Sequence, residues 1–164
     1  MKKLRIYLDT SIINHLKASD APDLEALTIE FFEHFVKTGF YDVYISPIVI
    51  NEIQRTRNEK RKKLLLDFIK QYPINFIETE SINNEVKQLA SIYVNKGLIP
   101  EKKIDDALHI AVVTIKELDI LLSWNYRHLA NVNKELKIHA INMLEGYTKD
   151  FRMTTPLEVL SDDE

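Results

Sequence analysis

The sequence of 164 residues contains no cysteine and only three glycines. The absence of cysteine excludes disulfide bonds, thiolate metal sites and cysteine nucleophiles. No stretch approaches the run of about 18 apolar residues that a membrane-spanning helix needs. The start, MKKLRIYLDT, has neither the long apolar core nor the cleavage site of a secretory signal. We therefore expect a cytoplasmic protein.

The chain also lacks a strong excess of charge of either sign. Its formal net charge is −3, which does not favour a general nucleic-acid binder but leaves room for a local basic patch. No linker rich in proline, glycine or serine divides the chain, and we find no internal repeat. We predict one domain over residues 1–150 and a loosely held tail with an acidic end over residues 151–164.

Hydrophobic residues alternate between strand-like and helix-like spacing. Strands are predicted for LRIYLD, YDVYIS, INFIET, LDILLS and LKIHAIN. Helices are predicted for SIINHLKA, DLEALTIEFFEHFVK, PIVINEIQRT, EKRKKLLLDFIKQY, SINNEVKQLASIYVNK, KKIDDALHIAVVTIKE and NYRHLANV. Strands that alternate with helices pair in parallel through right-handed crossovers, so the pattern predicts an α/β fold with a mainly parallel sheet of about five strands.

Four polar residues lie where this topology predicts a single edge of the sheet. Asp9 follows the first strand and Asn125 follows the fourth, while Glu52 and Asp106 lie near the starts of two helices. In open parallel sheets, binding sites form beyond the carboxyl ends of the strands. We therefore expect these four residues to meet, although they are far apart in sequence.

Each acid also has a simpler interpretation. Asp9 serves equally well as a helix N-cap, a role that Thr10 or Ser11 could also fill, and a solvent-facing glutamate is the default for Glu52. Asp106 is harder to explain in this way because apolar residues surround it, and a buried carboxylate is costly unless it is paired or bound to a cation. Its neighbour Asp105 points about 100° away and is the better candidate for a solvated side chain.

Taken together, the carboxylates indicate a hard divalent cation. Asp and Glu oxygens are the ligands that Mg²⁺ or Mn²⁺ accept, whereas converging carboxylates without a cation repel one another. No HExxH, GxxxxGK[ST], GxGxxG or EF-hand pattern indicates a different site. The chemistry that fits is hydrolysis of a phosphodiester.

The chain resembles PIN-domain proteins of the VapC type, the toxins of prokaryotic toxin–antitoxin pairs. The resemblance rests on YLDTSIINHL, SPIVINEI, PEKKIDDALHIA and DILLSWNYRHLAN, of which the last two are the most specific. It implies a three-layer α/β/α sandwich and a Mg²⁺- or Mn²⁺-dependent endoribonuclease that cleaves single-stranded RNA. It also implies an antitoxin partner of a type II pair and a homodimer.

By position, the resemblance assigns Asp9, Glu52 and Asp106 to the family's metal-binding acids. It places Ser123 on a hydroxyl position and Asn125 on the fourth position, which is Asp in many members. An asparagine can coordinate through its carbonyl oxygen but brings no charge, so a second cation would be held more weakly. The alternative is therefore a PIN fold of weak or no activity that binds RNA or protein.

Weaker assignments concern the neighbours of these acids. Thr10 resembles a hydroxyl that binds water or substrate phosphate, and Asn14 either orients the Asp9 loop, bonds a phosphate or is simply exposed. We interpret His109 as a hydrogen-bonded core residue, His128 as support for the Asn125 loop, and Trp124 as packing.

A basic run begins one helical turn after Glu52. It contains six cations in nine positions, which are Arg55, Arg57, Lys60, Arg61, Lys62 and Lys63. Such runs are usually solvated helix faces. Because this run borders the predicted site, we expect phosphate contacts from it, with Arg55 as the first candidate for substrate binding.

Overall fold

The protein, described here by a computed structural model over residues 2–160, is built around a sheet of five parallel strands. These are β1 (Arg5–Leu8), β2 (Asp42–Ile45), β3 (Asn75–Phe76), β4 (Ile120–Leu122) and β5 (Arg152–Thr154). Their order is β3-β2-β1-β4-β5, and every neighbouring pair is parallel. The predicted parallel α/β architecture is confirmed.

Eight α-helices lie within residues 2–160. They are α1 (Thr10–Asn14), α2 (Pro22–Phe31), α3 (Pro47–Gln54), α4 (Glu59–Gln71), α5 (Asn83–Asn95), α6 (Ile104–Ile115), α7 (Val132–Leu144) and α8 (Pro156–Leu160). A π-helical turn extends α2, and short 3₁₀ turns precede α5 and α6. None of the helices in this part of the chain has the length and apolar character that crossing a membrane requires.

The residues at the helix starts explain where several helices begin. The side chain of Asp9 accepts a hydrogen bond from the amide of Ile12 at the start of α1. Ser46 does the same for Ile48 at the start of α3, where Pro47 occupies the first helical turn as predicted. These caps satisfy amides that have no partner within their helix. They also fix the direction in which each helix leaves the carboxyl end of its strand.

The strand order creates a crevice beside β1. From β1 the chain continues to β2 on one side, whereas from β4 it continues to β5 on the other side. Leu8 is in register with Leu122, so Asp9 and Ser123 follow side by side. Such a switch point is where open parallel sheets form their binding sites. Right-handed crossovers place the helices on both faces of the sheet, which gives the three-layer sandwich.

Two predicted elements near the carboxyl terminus are wrong. NYRHLANV forms turns rather than a helix, and LKIHAIN lies inside α7 rather than in a strand. LKIHAIN alternates like a strand, but Asn131 caps a helix and the buried residues Glu135, Ile138 and Asn142 recur at helical spacing. The longer helical pattern therefore determines the structure of this segment.

The last strand comes from a segment for which no strand was predicted. Arg152–Thr154 forms β5, which pairs with β4, and α8 follows it. The prediction of a loosely held tail is therefore wrong for residues 152–160, while residues 161–164 lie outside the described part. A three-residue strand with one buried apolar side chain, Met153, leaves too little periodicity to be recognised.

Asp119 ties β1 to the segment before β5, and its ionisation should be visible in the stability. Its Oδ2 accepts the backbone N–H of Arg5 at 2.8 Å, and its Oδ1 lies 2.9 Å from Nζ of Lys149. Partial burial acts to raise the pKa of Asp119, but the Arg5 amide and the Lys149 ammonium lower it overall. The ionised form therefore stabilises the fold above the unfolded-state pKa, and this contribution is lost as the pH falls through the lower folded-state pKa.

We expect Asp119→Asn to lower the free energy of unfolding at pH 7 by about 0.5–1 kcal/mol, because the ion pair is partly exposed. The difference from the wild type should shrink below about pH 4. Urea unfolding at both pH values measures it, with the exposed Asp20→Asn as control. A difference that stays constant down to pH 3 would contradict this role.

Candidate active site at the switch point of the sheet

Asp9 lies directly after β1 and is only 4% exposed. Besides capping α1, its carboxylate accepts two short hydrogen bonds, from Ser11 Oγ to Oδ1 and from Ser123 Oγ to Oδ2, each at 2.6 Å. Burial raises the pKa of Asp9, while the charge of His109 and the two hydroxyl groups act in the opposite direction. Asp9 is therefore both a helix cap and a firmly positioned buried acid.

Ser123 connects the ends of β1 and β4. It is fully buried, and its Oγ donates to Asp9 and accepts the backbone N–H of Asn125 at 2.9 Å. Ser11 makes a parallel link, because its Oγ accepts the backbone N–H of Trp124 at 2.9 Å. The predicted packing role of Trp124 is supported by its 5% exposure and by a hydrogen bond from its indole N–H to Thr28.

A buried chain of hydrogen bonds runs from β1 to Glu52. The hydroxyl of Tyr7 lies 2.7 Å from Ser46 Oγ and 2.6 Å from Nδ1 of His109. The other ring nitrogen of His109, Nε2, lies 2.6 Å from Oε1 of Glu52, which also accepts the Thr10 hydroxyl at 2.7 Å. The prediction that His109 is a hydrogen-bonded core residue is confirmed.

The electrostatics of this chain favour an ionised pair. Burial acts to raise the pKa of Glu52, but the hydrogen bond and charge of His109 lower it overall. Burial acts to lower the pKa of His109, but Glu52, followed by Asp9 and Asp106, raises it overall. When His109 is protonated, its charge offsets part of the negative charge of the acids.

Asp106 is the least compensated acid of the group. It lies in the first turn of α6, and its hydrogen-bond donor is the neutral side-chain amide of Asn125, at 3.1 Å. Burial, together with the charges of Asp9 and Glu52, raises the pKa of Asp106 to about 6, against the opposing charges of His109 and Lys103. Asp9, Glu52 and Asp106 therefore lie close enough to interact, as the sequence predicted.

The side chain of Asn125 is oriented by its own turn. Its Oδ1 accepts the backbone N–H groups of Arg127 and His128, both at 3.1 Å, so its Nδ2 points at Asp106. The orientation is the one that satisfies the whole network. The carbonyl oxygen that could act as a ligand is thus already engaged. His128 supports the Asn125 turn through its backbone.

The donor chemistry of the site fits a hard divalent cation, but the side chains are not arranged as a finished metal site. Asp9, Glu52 and Asp106 supply carboxylate oxygens, and the raised pKa of Asp106 reflects burial and negative charge that a cation would offset. Within residues 2–160, however, no three acidic or histidine side chains are placed so that they could hold a metal ion. Cation binding at these acids would therefore require their side chains to rearrange.

The predicted substrate-binding residues are largely engaged within the protein. Thr10 is 8% exposed and donates to Glu52. The backbone carbonyl of Asn14, rather than its side chain, accepts a hydrogen bond from Arg61 at 3.0 Å. Arg55 pairs with Asp105 at 2.7 Å, so Asp105 is not simply solvated. Thr10 and Arg55 therefore use in internal contacts the side chains that were predicted to face RNA, whereas the side chain of Asn14 is not engaged in this contact.

Three of the six cations of the basic run make contacts within the protein. Arg61 also donates to the carbonyl of Lys17, and Lys62 pairs with Glu59 at 3.1 Å. Arg61 thereby ties α4 to the end of α1, which is a structural task. Phosphate contact from the run remains a prediction, and the cations best placed for it are the exposed Arg57, Lys60 and Lys63.

The sequence did not reveal all of the residues that support the site. Tyr7, Ser46 and Ser11 were not identified as parts of a network. Tyr7 looks like an ordinary strand residue, and the only available signal was a polar group among apolar neighbours at a predicted strand end. Its partner His109 lies 102 residues away, and no local pattern contains that contact.

Comparison with known proteins agrees with this architecture. A family model described as "PIN domain" matches residues 6–135. No curated protein sequence matches the chain. Two solved structures share the fold at low sequence identity. VapBC2 from Rickettsia felis, bound to a DNA fragment from its promoter, has a TM-score of 0.54 and 13% identity over 92% of this chain and 98% of that chain.

The second structure is VapC20 from Mycobacterium tuberculosis, described as a Sarcin-Ricin loop cleaving toxin. Its TM-score is 0.57, with 16% identity over 75% of this chain and 92% of that chain. At these identities the likeness supports the fold and does not transfer a substrate.

Proposed function

The chain belongs to the PIN domain family, and from this premise we propose that it is a Mg²⁺- or Mn²⁺-dependent endoribonuclease that cleaves single-stranded RNA. The observation that carries the proposal is the hydrogen-bonded network that links the three acids beside the switch point of the sheet. Thr10, next to Asp9, donates to Glu52, and Ser123 contacts both Asp9 and the turn whose Asn125 donates to Asp106. A half-buried acid such as Asp106, with a raised pKa and a neutral hydrogen-bond donor, is unfavourable for stability alone. Its presence in a crevice is typical of a functional site.

In this proposal Asp9, Glu52 and Asp106 hold the cation, which supplies Lewis-acid stabilisation of the charge that develops on the phosphodiester. Ser11 and Ser123 fix the rotamer of Asp9 by their hydrogen bonds. His109 keeps Glu52 ionised and oriented. Ser123 is thus a positioning residue rather than a contact for substrate, because its side chain is completely buried.

The test is cleavage of a labelled, unstructured RNA by the purified chain in Mg²⁺, in Mn²⁺ and in EDTA. We expect cleavage with either cation and none in EDTA. Asp9→Asn should reduce the rate by about 100-fold or more, equivalent to about 3 kcal/mol, while asparagine still caps α1. Asp20→Asn, at an exposed acid, is the matched control. An Asp9→Asn protein that is folded and cuts as fast as the wild type would refute the proposal.

We further propose that the chain is the toxin of a type II toxin–antitoxin pair and acts in the cytoplasm as a homodimer. The support is the fold shared with the two VapC structures, one of which is a VapBC complex. An adjacent short reading frame whose product co-purifies with this chain and inhibits cleavage would support the pairing. Sedimentation velocity of the chain alone tests the dimer.

A second candidate function is supported by Asn125. Its amide faces Asp106 and its carbonyl oxygen is engaged by two backbone N–H groups. A neutral donor at this position reduces the negative charge available to a cation. In this alternative the protein is a PIN fold that binds RNA or protein without cutting, and the cleavage assay separates the two functions.

A further inference from the structure

A cavity opens beside the candidate active site, at the same edge of the sheet. It has a volume of about 260 Å³ and is lined by the turn after β4, the start of α7, β5 and the start of α8. Because β4 and β5 are parallel, with Leu122 in register with Thr154, the residues that follow both strands leave the sheet in the same direction. The cavity therefore adjoins Asn125, and no residue assigned to the catalytic machinery lines it.

Tyr126 forms one wall of this cavity. Its side chain is 55% exposed, although it lies next in the chain to the residue that contacts Asp106. Its backbone carbonyl accepts the side-chain amide of Asn131 at 3.2 Å, and Asn125 O accepts the N–H of Ala130 at 2.8 Å. An exposed aromatic ring on a turn fixed in this way is a stacking platform for an unpaired base.

Glu135, on α7, also lines the cavity and determines which part of a nucleotide it suits. Glu135 is 9% exposed and lines the cavity, where its Oε1 accepts the N–H of Met153 at 2.6 Å and lies 3.4 Å from Nε of Arg152. The cavity lining carries the carboxylates of Glu135 and Glu158 and the guanidinium of Arg152, so its charge does not favour a phosphate. The carboxylates are compatible with the N–H groups on the edge of a base.

Cations lie close to the site in the chain: Lys102 and Lys103 belong to the 3₁₀ turn that precedes Asp106 and α6, and Arg127 follows Tyr126. The pKa of His128 is lowered mainly by burial and further by the positive charges of nearby side chains, which are Lys134, Arg127, Lys103 and Lys102. Lys103 also interacts with Asp106. Of these, Lys102, Lys103 and Arg127 are exposed. The cations come from two separate segments, which is why no basic run in the sequence reveals them.

We propose that this cavity binds one base of the RNA next to the cleaved phosphodiester, stacked on Tyr126, while Lys102, Lys103 and Arg127 contact the adjoining phosphates. This inference rests on the proposed function, because the RNA is its occupant. It specifies the substrate as a strand with an unpaired base at this step, since a base held in a duplex cannot enter the cavity. Positive charge for the backbone beside an aromatic surface for a base is the general arrangement of single-strand recognition.

The experiment measures RNA binding separately from cleavage. Fluorescence anisotropy of a labelled unstructured 12-nucleotide RNA, and of the same strand in a duplex, is recorded with Asp106→Asn protein in Mg²⁺. Adding Tyr126→Ala should weaken single-strand binding by about 5-fold or more, whereas Tyr126→Phe should preserve it. Arg127→Gln should reduce the slope of log K against log salt by about 1. Lys70→Gln, at an exposed cation in the last turn of α4 and outside the basic run, is the control for a lost surface cation and should leave the salt slope and the effect of Tyr126→Ala unchanged.

Equal single-strand affinity for the Tyr126→Ala and Tyr126→Phe proteins would overturn the inference. If Tyr126→Ala instead changed only self-association or antitoxin binding, the cavity would be a protein interface and the inference would also be wrong. Failure of the proposed function and failure of this inference give different results. RNA that binds through Tyr126 but is never cut would refute the nuclease proposal alone, whereas cleavage with binding independent of Tyr126 would refute this inference alone.

Discussion

Asp106→Asn is expected to abolish Mn²⁺-dependent cleavage and, at the same time, to leave the metal-free protein at least as stable as the wild type. The substitution removes a half-buried charge that burial and the charges of Asp9 and Glu52 disfavour. The variant keeps nearly the same shape and can still interact with Asn125. Loss of activity without loss of stability is the behaviour expected of an acid that is present for function.

Thermal unfolding with and without Mn²⁺ measures both the stability of the metal-free protein and its stabilisation by the cation. A cation at 100 times its Kd stabilises a protein by about 2.7 kcal/mol, which corresponds to a rise in Tm of about 5–10 °C for a chain of this size. Asp106→Asn should lose most of this rise, and its cleavage rate should fall by about 100-fold or more.

The adjacent Asp105→Asn is a matched control. Asp105 pairs with the exposed Arg55 rather than with the acidic cluster. Its substitution should therefore cost less than about 1 kcal/mol and keep both the Mn²⁺ response and cleavage. An unchanged Mn²⁺ response in Asp106→Asn would show that this carboxylate does not hold the cation.

His109→Ala is expected to have the largest effect on stability among substitutions near the site. The substitution removes the hydrogen bond between His109 and Tyr7 and the one between His109 and Glu52. It also leaves a cavity, because the side chain of His109 is only 1% exposed. We expect a loss of about 3 kcal/mol in the free energy of unfolding, or a Tm lower by about 6–12 °C. Without the imidazole, the pKa of Glu52 should rise.

The measurement is a double-mutant cycle with Tyr7→Phe, followed by urea unfolding. Tyr7→Phe should cost about 1–2 kcal/mol, and the double variant should lose less than the sum, because both substitutions break the same hydrogen bond. His34→Ala, which removes an exposed histidine away from this network, is the control. Strict additivity would show that Tyr7 and His109 do not stabilise the fold as one network.

Most of the fold could be predicted because its signals are local. β1 is a short apolar segment followed by Asp9, and α3 begins with Ser46 and Pro47, which are strong start signals. The position of the acids at one edge then followed from the rule for parallel sheets. β5 could not be predicted, because pairing with β4 rather than its own composition determines its structure.

The acids could be predicted, whereas their partners could not. A carboxylate after a strand is visible in the sequence, but the hydrogen bond between Tyr7 and His109 depends on packing across the fold. The contacts of Arg55 and Arg61 could not be predicted for the same reason. Their charge was visible, but their engagement by Asp105 and by backbone carbonyls was not.

The pairing of β1 with β4 also has a consequence for the order of folding. β1 meets β2 across the connection that contains α1 and α2, whereas Asp9 meets Ser123 only when residues 114 positions apart in the sequence come together. Contacts of such long sequence separation form slowly. In the proposed nuclease, native-like secondary structure should consequently recover earlier in refolding than RNA cleavage does, because the acids come together only after β4 has paired with β1.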